Sequence, residues 1–371
     1  MSIKKQVRRK TQTQPYLLSG DVLPGLKPFA CQEIKNRYPS QVVLQPSDDP
    51  ASIYFHYTGE LQELFSLRTV VAVYLVLRFP IPRPRALLGH QQYQQVLQGI
   101  KEVRLLHHIA TFSGLRISAA GENSSVFAQL KEQLSQDTGL PVIEEGDLLL
   151  RVRPASILQS GWEVLIRLTP RPLSTRPWRV FNMKGALNAT VAAAMIELTH
   201  PDPTDRFLNL MCGSGTLLVE RLQRCPAAVA VGCDLNTEAL QGAQLNLERG
   251  GVARNVLLFA SDATDLPFLP GTFTALCADV PWGQLTGSHQ ANKTLYPQLL
   301  SEAARLAAPH ARFILLTHEI TLFEDVLQQF SDVWKMQEAI KIFQGGLHPR
   351  IYVLQRATTE TRSGIFPFSG V

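Results

Sequence analysis

Asp279-Val280-Pro281-Trp282-Gly283 sets an acidic side chain, a proline-stiffened turn and an aromatic face side by side. That combination suits a planar exocyclic amine. The lone pair of such an amine is delocalised into its ring and is a poor nucleophile. An acceptor that draws on the N–H protons shifts the nitrogen toward sp³ and stabilises the positive charge that develops on it. Asp279 and the Val280 carbonyl can be those acceptors, Pro281 aims the carbonyl, Trp282 offers a stacking face, and Gly283 lets the substrate come close. A half-buried tryptophan on a capped surface turn has the same residue types, so position must decide. The motif falls at the end of a strand-like run, 66 residues after the Gly213 of a second motif, Cys212-Gly213-Ser214-Gly215-Thr216.

That second motif follows one apolar run and opens a helix near Thr216, where glycines allow close backbone approach to a ligand and helix N–H groups point at it. A dinucleotide fingerprint would place a third glycine at position 218, which here is Leu218, disfavouring nicotinamide and flavin. Asp234 ends the next strand-like run and can hold both hydroxyls of a ribose, with Leu235 beside it. Asp262 and Ala263 end the third run, where the carboxylate can accept from an adenine amino group or be a plain strand-end aspartate. A nucleoside-bearing cofactor facing an amine slot points to S-adenosylmethionine.

The elements that must position these groups alternate. Arg206–Met211, Ala228–Cys233, Val256–Ala260, Phe273–Ala278 and Arg312–Thr317 are near-continuous apolar runs, as in strands buried on both faces of a parallel sheet. Helical patterns lie between them, including Leu187–Leu198 and Thr237–Arg249. The alternation defines an α/β, Rossmann-like domain. Its last strands, Lys335–Phe343 and Ile351–Leu354, flank a Gly345-Gly346 turn and read as a hairpin, unusual for a dinucleotide fold. His289, His318 and His348 receive no role, and Tyr296 and Phe181 are expected in the core.

The N-terminal half reads as α+β: a helix over Leu26–Tyr38, strands over Ile53–Tyr57 and Val70–Phe79, and a proline-spaced connector at Ile81–Arg85. A helix over Gln91–Val103, a strand over Thr111–Ser118, a helix from Ser124 or Ser125, and strands near Leu148–Val152 and Glu163–Leu168 follow. The expected divisions are a basic tail (1–14), a ferredoxin-like α+β domain (15–82), a second α+β domain (83–169), a linker (170–186) and the α/β domain (187–371). Residues 1–180 carry a net charge of +8 and residues 181–371 one of −3, within a total of +5. A basic half beside an acidic one suggests a polyanion partner for the first. Arg151, Arg153, Arg171, Arg176 and Arg179 could clamp phosphates or merely solvate a linker. The five cysteines have no metal spacing and read as buried thiols of a reducing cytoplasm, with neither disulfide nor metal expected. No run reaches the ~18 apolar residues of a membrane helix.

The glycine-rich turn, Asp234, Asp262, the Asp279–Trp282 motif and the closing hairpin together resemble the class I S-adenosylmethionine-dependent methyltransferases, within the subgroup that methylates amino nitrogens. Arg176-Pro177-Trp178-Arg179, the Lys184-Gly185-Ala186-Leu187 helix start and the preceding α+β unit resemble THUMP-domain RNA methyltransferases, especially the Trm14/TrmN group. The resemblance implies a seven-stranded catalytic sheet with a C-terminal β-hairpin behind a THUMP-containing RNA-binding half at residues 83–169. It also implies a cytoplasmic, monomeric enzyme that forms N2-methylguanosine in the tRNA acceptor stem (position 6 type). The alternatives are an rRNA guanine-N2 or adenine-N6 enzyme, and a non-catalytic RNA-binding protein that kept the fold. One departure stands out: Asn209 replaces the acidic residue usual at the end of the first catalytic strand, so its brace to the turn or cofactor should be weaker.

Overall fold

The computed structural model describes residues 14–155, 161–282 and 288–357. Residues 1–13 of the basic tail and Gly283 lie outside that set. The chain divides into two compact units, Met1–Arg176 and Pro177–Val371, the division falling within the segment expected to link them.

The first unit contains β1 (Tyr16–Asp21), α1 (Lys27–Arg37), β2 (Val42–Gln45), β3 (Ser52–Tyr57), β4 (Ala72–Phe79), α2 (His90–Leu105), β5 (Leu115–Ala119), α3 (Ser125–Thr138), β6 (Leu148–Pro154) and β7 (Trp162–Arg167). Its strands form one sheet in the order β2-β3-β1-β4-β7-β6-β5. Residues 15–82 and 83–169 therefore share a sheet, joined where β4 pairs antiparallel with β7. Alternation sorts the side chains: Val73, Leu75 and Phe79 join Leu150, Val152, Val164 and Ile166 in the core that also takes up residues of the helices. Tyr54, Tyr74, Leu149 and Leu165 occupy the opposite face. The strand expected from Thr111 begins only at Leu115, because the Asp147 carboxylate takes the amides of Ser113 and Gly114 at 2.9 and 3.1 Å.

The second unit contains α4 (Ala189–Leu198), β8 (Arg206–Leu210), α5 (Thr216–Arg224), β9 (Val229–Asp234), α6 (Thr237–Arg249), β10 (Val256–Ala260), β11 (Phe273–Asp279), α7 (His289–Leu306), β12 (Ala307–Thr317), α8 (Ile320–Gln329), β13 (Trp334–Lys341) and β14 (Arg350–Arg356). The sheet order is β10-β9-β8-β11-β12-β14-β13. The first five strands run parallel. β14 lies antiparallel to both β12 and β13, so the closing hairpin inserts its second strand inside the first. Strand order reverses at β8, from which the chain proceeds outward through β9 and β10 before returning to β11. Ligands bind open α/β sheets beyond the carboxyl ends of the strands at such a switch point.

Candidate active site

The glycine-rich turn is built by left-handed backbone. Met211, Gly213 and Gly215 have φ of 54°, 51° and 78°, and Gly215 is the N-cap residue of α5. A side chain on Gly215 would come within 3.0 Å of Ala243 Cβ, so the turn needs glycine for conformation and for close packing. Asp234, at the end of β9, holds the turn from the side. Its Oδ2 accepts from Gly213 N at 2.7 Å and its Oδ1 from Asn236 N at 2.9 Å. Capping of α6 falls to Asn236, which accepts from Glu238 N and Ala239 N, leaving Asp234 at the site.

A cavity of about 400 Å³ opens beside these residues, lined by Met211, Asp234, Leu235, Asp262, Ala263 and Leu295 among others. Leu235 is 71% exposed and gives the cavity an apolar wall. Asp262 accepts from Thr264 N and Thr264 Oγ1 through Oδ1 alone. Two carboxylates at the ends of neighbouring strands and an apolar wall suit a nucleoside.

Asn209 is fully buried in β8. Its Nδ2 donates to the carbonyls of Leu210 and Cys277 at 3.2 and 3.3 Å, while its Oδ1 has no partner. It thus ties β8 to β11 rather than reaching the turn. Cys212, Ser214 and Thr216 are buried within the turn, and Cys212, Cys233 and Cys277 are free thiols whose ionisation burial pushes up.

The turn is also strapped from behind, which sequence reasoning missed. Asn246, wholly buried in α6, accepts from Val180 N and Phe181 N and donates to the carbonyls of Phe181 and Ser214, all at 2.9 to 3.0 Å. Phe181 covers Gly242, where even a methyl group would collide with its ring at 2.1 Å. An asparagine inside a helical apolar stripe was the available signal.

Asp279 closes β11. Its Oδ1 is buried without a partner, and burial pushes the carboxyl up to about 7, partly offset by hydrogen bonding to the Trp282 indole. Val280 is buried and its N–H donates to Leu316 O at 3.2 Å. The Pro281 carbonyl accepts twice, from Asn292 Nδ2 at 2.9 Å and from Tyr296 Oη at 2.8 Å. Tyr296 is core, as expected, and also a support of the motif. Burial raises its phenol above the ordinary range, so it stays a neutral donor. Asp234, Asp262 and Asp279 thus lie on one edge, at the carboxyl ends of β9, β10 and β11.

The arginines are less open than the sequence suggests. Arg176 is 8% exposed and donates to the carbonyls of Leu173 and Arg68 at 2.7 and 2.6 Å, which corrects its expected role as a phosphate clamp. Arg153 holds the buried Glu163 carboxylate at 2.8 Å and Tyr54 Oη at 2.7 Å. Arg151 pairs with Asp21 at 2.5 Å and lies over the Tyr74 ring. Arg179 donates to Leu187 O and Thr216 Oγ1 at 2.8 and 3.0 Å, bracing the glycine-rich turn. Arg171 is exposed.

Turn, cavity and motif lie on a parallel sheet with an inserted antiparallel strand, which is the fold of the class I S-adenosylmethionine-dependent methyltransferases. Residues 176–350 match the model of the RMKL-like methyltransferase domain family (UPF0020). A tRNA (guanine(6)-N2)-methyltransferase of Thermus thermophilus is 26% identical over 351 residues, covering 90% of this chain and 97% of that one. The mouse tRNA (guanine(6)-N(2))-methyltransferase THUMP3 is 29% identical over 52% of this chain, a match that spans only 40% of the mouse protein. The crystal structure of TrmN from Thermus thermophilus superposes with a TM-score of 0.71 and 22% identity, covering 92% of this chain and 99% of that one. Among the described residues no helix is long and apolar enough to cross a membrane, and no cluster of His, Cys, Asp or Glu could hold a metal.

Proposed function

We propose that this protein forms N2-methylguanosine in the acceptor stem of tRNA, at a guanine of the position 6 type. The observation that carries the chemistry is the buried, unpartnered Oδ1 of Asp279 at the end of the strand beside the cofactor edge. An acceptor so placed draws on an N–H proton of the amine as its nitrogen acquires charge, which suits exocyclic amines and not ring carbons or ribose hydroxyls. The choice of guanine rests on relatives. The Thermus relative named for tRNA guanine N2 covers 90% of this chain. A mouse relative named for U6 snRNA covers 32%.

Asp234 and Asp262 would hold the cofactor's ribose and adenine, with Cys212–Thr216 against its remainder. Bound there, S-adenosylmethionine supplies an electrophilic methyl group on sulfur. The chain's own part is to bind and orient. A paired stem guanine must leave its helix to reach Asp279, at a cost of a few kcal/mol that stacking on Trp282 partly offsets. In this reading the N-terminal unit holds the THUMP domain and grips the tRNA near its 3′ end, with Arg171 as one phosphate contact. The enzyme would be monomeric and cytoplasmic.

Mass spectrometry of nucleosides from separated tRNA and rRNA of a deletion strain tests the reading. Loss of N2-methylguanosine from tRNA alone is expected. A loss confined to rRNA, or of N6-methyladenosine, would replace it.

A further inference from the structure

His318 has no role in the chemistry described so far, yet its ring faces Trp282 with centroids 6.1 Å apart and planes inclined by 31°. The two residues follow neighbouring parallel strands: Asp279 of β11 is in register with Leu316 of β12. They thus stand side by side on the edge where the amine acceptor lies.

Their spacing is fixed by two cross-braces from α7. Tyr296 Oη binds the Pro281 carbonyl and shares a hydrogen bond with Thr317 Oγ1, each at 2.8 Å. Asn292 Nδ2 donates to the Pro281 carbonyl at 2.9 Å and to Glu319 Oε1 at 3.3 Å. One brace reaches the residue before His318 and the other the residue after it, while both hold the residue before Trp282. Glu319 is held further by His289, whose Nδ1 lies 2.7 Å from Oε2. Such bracing sets the distance between the two loops that carry Trp282 and His318.

We propose that His318 is the second wall of the target-base slot, stacking on the face of the base opposite Trp282, with Asn292 and Tyr296 as positioning residues that set the gap. The proposal rests on the methylation of a base amine argued above. A base held between two rings needs two carbon–carbon contacts of about 3.5 Å, or about 7 Å in all. The present separation is about 1 Å short and inclined, so a small levelling of the rings admits the base. Two flanking faces also discriminate: a flat heteroaromatic fits and a sugar or aliphatic amide does not, which makes the slot selective for nucleobases before any hydrogen bond is read.

The test uses the full chain, an unmodified tRNA transcript, and the variants His318→Ala, His318→Phe and His318→Gln. If stacking is the role, His318→Ala lowers kcat/KM about tenfold, His318→Phe restores most of the loss, and His318→Gln does not. Affinity for S-adenosylhomocysteine, measured by calorimetry, stays at the wild-type value in all three. An indifferent His318→Ala overturns the wall, as does rescue by Gln but not Phe, or equal loss in all three. Should His318→Ala fail to fold, the contrast between Phe and Gln decides. Wild-type protein inactive on RNA removes the functional reading and the wall together. An active wild type with an indifferent alanine variant removes the wall alone.

Discussion

Glu163 and Asp279, one carboxylate from each unit, are buried in different company. In the N-terminal unit Glu163, wholly buried, is met by Tyr54 and Arg153, and Asp21 is met by Arg151 and Tyr74. In the catalytic unit the Oδ1 atoms of Asp279 and Asn292 are buried with nothing to bind. An unmade hydrogen bond costs about 1–3 kcal/mol, and far less once a ligand supplies the partner. An unpartnered atom alone does not mark a site, since Glu163 Oε2 and Asn209 Oδ1 are also buried without a hydrogen bond, inside their sheets. Position makes the distinction, since Asp279 ends a parallel strand beside the cofactor cavity.

The largest effect that could break this contrast is at Asp279. Asp279→Ala should retain S-adenosylhomocysteine binding and lower single-turnover methylation by about 10²–10³-fold, the scale for removing a group that stabilises developing charge. A near-wild-type rate would end the amine-acceptor mechanism. The carboxylate form is the acceptor, so the wild-type rate should rise with pH through about 7, and Asp279→Asn should lack that limb. Stability has the opposite sign. The folded state holds this proton more tightly than the unfolded one, so stability should fall between about pH 4 and 7. Asp279→Asn should flatten that fall in denaturant titrations.

Asn246 is the paired counterpart within the catalytic unit. Asn246→Ala strands two N–H groups and two carbonyls and should cost about 3 kcal/mol in urea unfolding, together with weaker cofactor binding. A loss of stability without any change in affinity would mean the strap does not support the turn. Asp234→Ala should weaken S-adenosylhomocysteine by about 2 kcal/mol in calorimetry. Unchanged affinity would remove Asp234 from the site.

The smallest effects separate the arginines. Arg171→Ala should leave melting unchanged and reduce the salt slope of tRNA binding by about 1, as for one lost phosphate contact. Arg176→Ala should lower the melting temperature, because the carbonyls of Arg68 and Leu173 lose their donor. Filter binding over a salt series with thermal melts of the same proteins distinguishes the two. The reverse pattern would return Arg176 to the RNA.

The catalytic fold was legible because parallel strands are apolar throughout and end in diagnostic residues: Asp234, Asp262 and Asp279 each terminate or follow one. The N-terminal half was less so. Its strands mix apolar and polar residues, and neither β1 nor β2 was visible, β2 being only four residues long. Within the site, Asp279 to Trp282 could be proposed from sequence because chemistry limits which residues suit such work. Asn246, Asn292, Thr317 and Glu319 could not, since a bracing role depends on which helix lies opposite. Arginine counts misled for the related reason that a count does not reveal which charges already have partners.

The inserted strand β14 has a consequence for how the domain is made. β12 lies between β11 and β14, so its outer edge stays unpaired until residues 350–356 have left the ribosome. Every residue assigned to cofactor and amine has by then been synthesised. A chain stopped just before Arg350 would carry every residue proposed for the site beside a bare, strongly apolar strand, Phe313-Ile314-Leu315-Leu316, of the kind that templates aggregation. Nascent chains halted there should therefore be insoluble even though no residue proposed for the site is missing, and release from chaperones should coincide with the emergence of β14.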